Sequence, residues 1–230
     1  MPLEAPIEAL RSALERALQS LGLPSDAALQ DRLLAYLALL QRWNATYNLT
    51  AVREPGEMLT QHLADCLAVV GPLRARLGAG TNRRLLDVGS GGGLPGVVLA
   101  CLEPGWAVTC VDAVGKKAAF VRQVAVELGL RNLSADHARV EALKAGGFDL
   151  VTSRAFASLP DFVRLTDASL KPWGVWAAMK GKAPEAELAA LPPSITVFHV
   201  EPIAVPGLDA DRCIVWMRRT AEPASGLVHS

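Results

Sequence analysis

One glycine-rich stretch has the residue types and spacing to hold a ligand: Leu85–Gly96, with the sequence LLDVGSGGGLPG. The apolar residues at its start predict the end of a short buried strand, and the apolar run at 97–102 predicts a helix. Because glycine reaches positive φ without a Cβ clash, the loop between them can turn sharply and direct backbone N–H groups toward an anionic or polar ligand. Strand, glycine loop and helix in this order are typical of the first turn of a nucleotide-binding βαβ unit.

Three ligand classes could use such a loop: a nucleoside triphosphate, a dinucleotide and S-adenosylmethionine. A triphosphate loop needs Gly-Lys-Ser/Thr before its helix, whereas Gly93 is followed by Leu94 and Pro95. A dinucleotide loop has a third glycine three residues after Gly91, and that position is Leu94. The D-x-G-x-G pattern from Asp87 to Gly91 favours S-adenosylmethionine, which has no pyrophosphate. We therefore expect Asp87 and Gly91 to contact the cofactor.

An acid ends the second predicted strand, which covers residues 107–111 and leads to Asp112. In dinucleotide folds an acid at this position binds the ribose hydroxyls, and its spacing from the glycine loop favours that role here. Asp112 could also be the N-cap of the helix predicted over 115–128, and both roles could hold.

Basic residues occur in three loops that follow predicted strands, where ligands of such sheets bind. They are Arg139, Arg154, Lys180 and Lys182. Any one of them could be ordinary surface charge, but together they could converge on one rim and bind the phosphates of a nucleic acid. Phe156 could either stack on an unpaired base or belong to the core.

The same loops lack the residues that other methyl acceptors require. Enzymes that methylate exocyclic amines place N/D-P-P-Y/F after the fourth strand, where this chain has Ser153–Phe156. Methylation of pyrimidine C5 needs a cysteine nucleophile, usually after proline, and the sequence has no Pro-Cys. A purine N7 is already nucleophilic, so we predict no general base. Arg154, Phe156 and Lys180 are then candidates for positioning the acceptor.

Strands alternating with helices predict a doubly wound, mainly parallel α/β sheet. The predicted strands are 85–88, 107–112, 132–136, 148–153, 175–179, 195–200 and 213–217, the last two antiparallel to each other. A further helix is predicted over 159–170. We expect residues 1–80 to form a helical cap on the sheet, 81–220 the catalytic domain and 221–230 a frayed tail.

Apolar periodicity predicts three helices in the cap. They cover 4–21, a segment capped by Ser25 and Asp26, and a segment from Pro55 to the Gly71-Pro72 pair. The stretch Trp43–Thr50 could be an Asx-type turn held by core aromatics, or a loop over the cofactor or acceptor site. The three-residue spacing of His62 and Asp65 predicts a local hydrogen bond between their side chains that stabilises the cap.

Composition sets wider bounds on the chain of 230 residues. It is 51% hydrophobic with zero formal net charge, which predicts a globular α/β domain with an appendage and argues against indiscriminate nucleic-acid binding. Apolar stretches too short for a membrane span and the lack of a signal core predict a cytoplasmic protein without membrane contact. The four separate cysteines predict buried free thiols, and no metal site is expected.

In combination these segments resemble the glucose-inhibited division protein B family. The matching segments, in order from about Trp43 to Trp216, are WN…NLT at 43–50, His62 with Asp65, LDVGSGGGLPG at 86–96, SRAF at 153–156 and MKG at 179–181. The resemblance implies a class I, Rossmann-like methyltransferase that uses S-adenosylmethionine to methylate N7 of a guanine in 16S ribosomal RNA, in the loop beside the decoding centre.

The resemblance also implies that Gly89, Leu94, Val140, Glu141 and Arg154 line the cofactor site. The partner would be 16S rRNA, either free or in the small ribosomal subunit, and the enzyme would be a monomer. Three alternatives stay open: a small-molecule methyltransferase, an NAD-dependent oxidoreductase, and an RNA-binding or cell-division factor without enzymatic activity.

Overall fold

The computed structural model describes residues 4–78, 82–143 and 146–220, with side chains from residue 9. The strands are β1 (Arg83–Val88), β2 (Trp106–Asp112), β3 (Leu133–His137), β4 (Phe148–Arg154), β5 (Leu170–Lys180), β6 (Ile195–Pro202) and β7 (Cys213–Arg219). The helices are α1 (Glu4–Ser20), α2 (Ala27–Tyr47), α3 (Pro55–Met58), α4 (Asp65–Leu67), α5 (Val70–Leu77), α6 (Gly96–Leu102), α7 (Gly115–Glu127), α8 (Leu159–Thr166) and α9 (Glu185–Ala189). A π-helical segment covers Leu59–Ala64, and 3-10 turns cover Val140–Ala142 and Asp167–Ser169. The predicted tail at 221–230 lies outside the described residues.

The seven strands form one sheet in the order β3-β2-β1-β4-β5-β7-β6. Strands β1 to β5 are parallel, whereas β7 runs antiparallel to both β5 and β6. This confirms the predicted doubly wound, mainly parallel sheet with an antiparallel last strand. Strands β2 and β3 lie on one side of β1, and β4 and the later strands lie on the other, so the strand order reverses between β1 and β4. Ligands of open α/β sheets bind beside that switch point.

Apolar side chains cover both faces of the sheet. On one face, cap residues such as Leu33 and Leu40 pack with Val98 of α6 and Phe120 of α7 in a single cluster. On the other face, α8 packs over the sheet through Phe162. The four cysteines are buried and unpaired, as predicted. The helical cap therefore shares its core with the helices beside the glycine loop.

The third predicted helix differs from the structure. The segment from Pro55 changes from α-helix to π-helix at Leu59–Ala64, and Gly71 and Pro72 lie in the first turn of α5 instead of ending a helix. Proline is tolerated there because the N–H groups of a first helical turn have no partner inside the helix. Single π-turns are frequent at functional sites.

The boundary between α8 and β5 also differs from the prediction. The helix predicted over 159–170 ends at Thr166, and β5 begins at Leu170, five residues before the predicted strand 175–179. Pro172 and Gly174 lie within β5, where the register between β4 and β5 shifts. Such a bulge tolerates a missing ladder hydrogen bond.

Candidate active site

The glycine loop depends on three positive φ angles, at Gly89 (+64°), Gly91 (+57°) and Gly93 (+82°). A Cβ added at Gly89 would lie 2.6 Å from Cδ2 of Phe156, and one at Gly93 would lie 2.6 Å from Cγ2 of Val97. A Cβ added at Gly91 would have no neighbour nearer than the Gly89 carbonyl oxygen, at 4.0 Å. Gly89 and Gly93 are thus required by packing, whereas Gly91 faces open space.

The helical cap holds this loop directly. The Tyr36 hydroxyl on α2 donates to the carbonyl oxygen of Gly92 at 2.7 Å. A Cβ added at Gly92 would lie 3.2 Å from Cδ1 of Leu40, one turn further along α2. Burial raises the pKa of Tyr36 well above its ordinary value, so the hydroxyl keeps the proton that it donates. The shape of the loop is therefore set from outside the βαβ unit as well as within it.

Two cavities meet at Gly89. The first, here named the Phe156 cavity, measures about 160 Å³ and is lined by Val88, Gly89, Val111, Asp112, Ala113, Ala138, Arg139, Val140, Glu141, Phe156 and Leu165. The second, the Thr50 cavity, measures about 210 Å³ and is lined by Leu40, Leu49, Thr50, His62, Gly89, Ser90, Gly91, Gly92, Leu94, Lys117, Arg154 and Ala155. A larger open groove of about 1160 Å³ lies between α8 and residues 192–195, and it contains none of the predicted site residues.

Asp112 stabilises the glycine loop from the end of β2. Its Oδ2 accepts from the Gly91 N–H at 3.0 Å, and its Oδ1 accepts from the Val114 N–H at 2.8 Å. The N-cap of α7 is Val114 and not Asp112, so Asp112 supports the start of that helix from just before the cap, through its bond to the Val114 N–H. A carboxylate offers about four acceptor positions, so two remain for the hydroxyls of a ribose.

Asp87 has a different position from the predicted one. It is fully buried beneath the loop and lines neither cavity; its Oδ2 accepts from the Gly96 N–H at 2.8 Å, while Oδ1 has no partner. Burial raises the pKa of Asp87 to about 7, against the lowering effect of the bond from Gly96. A Cβ added at Gly96 would lie 2.9 Å from that Oδ2, so the fit allows only glycine. Asp87 joins the end of β1 to the start of α6.

Arg154 binds the π-helical segment rather than standing free at the rim. Its Nη1 donates to the carbonyl oxygen of Gln61 at 2.9 Å, and both terminal nitrogens lie 3.4 Å from Nδ1 of His62. Nη1 also lies 3.4 Å from Oδ2 of Asp65, whose Oδ1 accepts from Nε of Arg212 at 2.8 Å. Asp65 is buried between two guanidinium groups, and this charge pairing fixes the direction of Arg154.

His62 connects this network to Thr50, whose Oγ1 lies 2.8 Å from His62 Nε2. Burial, followed by the nearby charge of Arg154, lowers the pKa of His62, so the ring is neutral. The predicted bond between the side chains of His62 and Asp65 is absent from the described part of the chain. A π-turn is wider than an α-turn, so these two residues instead meet through Arg154.

The stretch Trp43–Thr50 contains the end of α2 and the turn that follows it. Its first five residues belong to α2, and Asn48 ends the helix with φ of +49°. Asn44 is buried, accepts from the Thr50 N–H at 2.8 Å and donates to the carbonyl oxygen of Val52 at 3.2 Å. Trp43 packs edge-on against Phe120. This turn holds Thr50 at the wall of the Thr50 cavity.

The four cations predicted to share one rim lie at separate places. Arg139 is exposed beside the Phe156 cavity, and Arg154 lines the Thr50 cavity. The ammonium of Lys180 forms an ion pair with Glu187 at 2.8 Å and donates to a backbone carbonyl, whereas exposed Lys182 lines a third hollow with residues 203–211. Lys180 is thus committed to Glu187, a residue that sequence reasoning did not consider.

Sequence reasoning missed Lys117. Lys116 and Lys117 lie in the first turn of α7, where the helix macrodipole disfavours cations. The Lys116 ammonium donates to the carbonyl oxygen of Tyr47, but Lys117 lines the Thr50 cavity, and within the described residues its ammonium makes no hydrogen bond or ion pair. Two lysines at the unfavourable end of a helix were the signal that could have indicated a site.

The walls of the Phe156 cavity and the loop beside it fit S-adenosylmethionine. Val140 and Phe156 supply apolar surface for a base, Asp112 has acceptor positions for a ribose, and Gly91 leaves space against the backbone. Glu141 and Arg139 lie at the mouth. Gly91, Leu94 and Arg154 lie on the Thr50 side, toward which the remainder of the molecule would extend.

Neither a metal site nor a membrane-spanning helix is found among the described residues. No group of three or more His, Cys, Asp or Glu side chains could hold a metal ion there. Nor does that part of the chain contain a helix long and apolar enough to cross a membrane.

Comparisons with known proteins agree with this geometry. A family model, GidB, rRNA small subunit methyltransferase G, matches residues 29–215. The chain is 62% identical over 212 residues to the "Ribosomal RNA small subunit methyltransferase G" of Methylibium petroleiphilum, which covers 92% of this chain and 96% of that protein. It is 58% identical over 221 residues to the protein of the same name from Paracidovorax citrulli, covering 92% of this chain and 90% of that one.

Among solved structures, a mutant of MtNAS in complex with S-adenosylmethionine matches with a TM-score of 0.58 at 16% identity, over 93% of this chain and 89% of that chain. A likeness at this identity shows the fold, which is the Rossmann-like class I fold predicted from the sequence. The family match confirms the resemblance found in the sequence. The chain belongs to the GidB family, the rRNA small subunit methyltransferases G.

Proposed function

We propose that this chain transfers the methyl group of S-adenosylmethionine to N7 of a guanine in 16S ribosomal RNA. Its family makes it an S-adenosylmethionine-dependent rRNA methyltransferase; the proposal concerns the acceptor atom, the RNA and the residues involved. One observation carries it: the Thr50 cavity holds no side chain that is free to accept a proton. Apart from Lys117, which we place as an ammonium facing the RNA phosphates, only His62 among its lining residues could be a base, and both ring nitrogens of His62 are already bonded, to Arg154 and to Thr50.

That arrangement suits an acceptor with a lone pair and no proton to lose, such as guanine N7. When bound, the cofactor supplies an electrophilic sulfonium methyl, so the protein must align two atoms and exclude water. Positioning alone can lower a barrier by roughly 7–11 kcal/mol. Asp112, Gly91 and the walls of the Phe156 cavity would hold the cofactor, and the Thr50 cavity would hold the guanine.

The proposal places the RNA across the mouths of both cavities. Lys117 and Arg139 lie there with their charged groups available for phosphates, and Lys182 extends the surface further from the site. We assign Phe156 to the cofactor cavity, where it packs against Phe162 at a centroid distance of 6.4 Å, rather than to base stacking. Lys180 would act by fixing α9 through Glu187.

The proposal also covers the location, oligomeric state and RNA partner of the enzyme and the roles of its two segments. The enzyme would be a cytoplasmic monomer that acts on 16S rRNA, free or within a small-subunit particle. Residues 1–80 would serve as a cap that positions the acceptor, and 81–220 as the domain that binds the cofactor. Within the cap, Tyr36 and Thr50 already contact or face the glycine loop.

Mapping the methylated nucleotide tests the acceptor atom. Small-subunit RNA treated with the enzyme and cofactor is reduced with borohydride and cleaved with aniline, which breaks the strand at N7-methylguanosine. We expect one new break, at a guanine, and no break when the enzyme carries Gly91→Val. A radiolabelled product that resists this cleavage would place the methyl group on another atom and refute the proposal.

A further inference from the structure

Three residues in the segments that resemble the family take no part in the methyl transfer proposed above. They are Thr50, His62 and Asp65. They come from the turn after α2, the π-helical segment and the start of α4. In the structure they form a continuous network with Arg154 and Arg212, and this network ends at the Thr50 hydroxyl on the wall of the Thr50 cavity.

The contacts of His62 assign its proton to one of the two ring nitrogens. A guanidinium can only donate hydrogen bonds, so His62 Nδ1, which lies 3.4 Å from both terminal nitrogens of Arg154, must be the acceptor. The neutral ring then carries its proton on Nε2. Nε2 therefore donates to Oγ1 of Thr50, at 2.8 Å.

This donation fixes the Thr50 hydroxyl in turn. A hydroxyl has two acceptor positions and one hydrogen. Thr50 Oγ1 accepts from His62 Nε2 at 2.8 Å and from the Val52 N–H at 3.2 Å, so both acceptor positions are filled. Its one hydrogen has no partner among the described residues and is left to donate to a group in the cavity. Toward a group in the cavity, the Thr50 hydroxyl can therefore act only as a donor.

We propose that Thr50 donates a hydrogen bond to O6 of the acceptor guanine and thereby selects guanine over adenine. The inference rests on the proposed function, because it places the N7 edge of a purine in the Thr50 cavity. On that edge guanine presents two neighbouring acceptors, N7 and O6, whereas adenine presents an N6 amine donor. An amine facing a hydroxyl whose acceptor positions are both filled would be unpaired. His62 and Arg154 are positioning residues in this account.

The test is a double-mutant cycle between the enzyme and the RNA. The enzyme variant is Thr50→Val, which replaces the hydroxyl with a methyl group of similar size, and the RNA carries 2-aminopurine at the acceptor position, which lacks O6. The RNA is used free or assembled into small-subunit particles, in whichever form the wild-type enzyme methylates. We expect each change alone to reduce the single-turnover rate about 10- to 100-fold, and the second change to add little once the first is made.

Three controls accompany the cycle. Thr50→Ser keeps the hydroxyl and should restore most of the rate on guanine. Thr196→Val removes a threonine hydroxyl on β6, bonded to Thr220, and should leave the rate unchanged. Thr50→Val should bind S-adenosylhomocysteine with wild-type affinity by calorimetry, which also shows that the variant is folded.

Additive losses in the cycle would overturn the proposal, since they would mean that Thr50 and O6 act independently. A large loss of S-adenosylhomocysteine affinity in Thr50→Val would also overturn it, because the hydroxyl would then serve the cofactor. Failure of the proposed function has a separate signature. In that case, the wild-type product on guanine RNA would resist aniline cleavage, whatever the variants do.

Discussion

The two cavities that meet at Gly89 are built in different ways. The Phe156 cavity is lined mostly by residues at the ends of β1 and β2 and in the segments that follow β1, β2, β3 and β4, including Gly89 of the continuous glycine loop. The Thr50 cavity combines that loop with α2, the turn after it, the π-helical segment and α7. The cofactor side thus depends on local backbone shape, whereas the acceptor side depends on buried polar contacts between distant segments. Substitutions should therefore separate cofactor binding from methyl transfer.

The largest effect is expected at Gly91, in the glycine loop where the two cavities meet and where the cofactor is proposed to bind. Gly91→Val puts a β-branched residue at φ of +57° and fills the space next to the backbone, so S-adenosylhomocysteine binding should be lost. Calorimetric titration measures it. The matched control is Gly129→Val, at φ of +64° with nothing within 4 Å of its Cβ, which carries similar strain away from the site. Normal affinity in Gly91→Val would remove the loop from the cofactor site.

The corresponding substitution on the acceptor side is at Arg154. Arg154→Met leaves Asp65 with Arg212 alone and releases His62, so Thr50 loses its fixed orientation. Because a misplacement of about 1 Å can cost about 100-fold in rate, we expect the single-turnover rate to fall on the order of 100-fold. Affinity for S-adenosylhomocysteine should change far less than the rate. An equal loss in both quantities would mean that Arg154 serves the cofactor first.

Asp112 should show a smaller effect, confined to cofactor binding. Asp112→Ala removes two candidate ribose bonds and the bond to the Gly91 N–H, each worth about 0.5–1.5 kcal/mol net. We expect weaker S-adenosylhomocysteine binding with the methyl-transfer rate at saturation largely preserved. Glu127→Ala, on the exposed end of α7, is a control that should leave both values unchanged. A rate loss at saturating cofactor would contradict the division between the two cavities.

The smallest expected effect is on the pH dependence of the free energy of unfolding, to which Asp87 beneath the glycine loop and His62 beside the Thr50 cavity contribute differently. The pKa of Asp87 is raised to about 7, so its stabilising contribution is complete below the unfolded value of about 4 and is lost as pH rises through about 7. The pKa of His62 is lowered, so its contribution is complete above about 6.5 and is lost as pH falls below that value. The two groups act in opposite directions.

Urea unfolding at several pH values measures both contributions. Between about pH 4 and about pH 7, Asp87→Asn should raise the slope of the unfolding free energy against pH. Below about pH 6.5, His62→Asn should lower that slope, because the unfolded state of the variant no longer gains the extra proton. Slopes identical to wild type in both variants would contradict the protonation states used here.

The difference between the cavities also explains which features could be predicted from the sequence. The glycine loop, the mainly parallel sheet around it and the acid at the end of β2 follow from contiguous patterns, so Gly91 and Asp112 could be predicted to face one site. Tyr36, Thr50 and Lys117 belong to segments far apart in the chain, and only tertiary packing places them around the loop. The pairing of Lys180 with Glu187 likewise depends on the position of α9, which no motif marks.

Two local predictions failed for a related reason. Apolar spacing is similar in an α-helix and in one with a single wider turn, so the π-helical segment and its effect on His62 and Asp65 left no sequence signal. Asp87 was assigned to the cofactor by motif, but motif spacing does not say whether a carboxylate lies on the surface of the loop or beneath it. The structure places it beneath, bonded to Gly96.

The central claim is that methyl transfer here needs alignment and no proton removal. The most direct test is the single-turnover rate constant for methyl transfer, measured with saturating cofactor and RNA between about pH 6.5 and about pH 8.5, where His62 stays neutral. The account predicts a flat profile. A rate that rises about tenfold per pH unit and then levels off near neutrality would reveal a general base and contradict it.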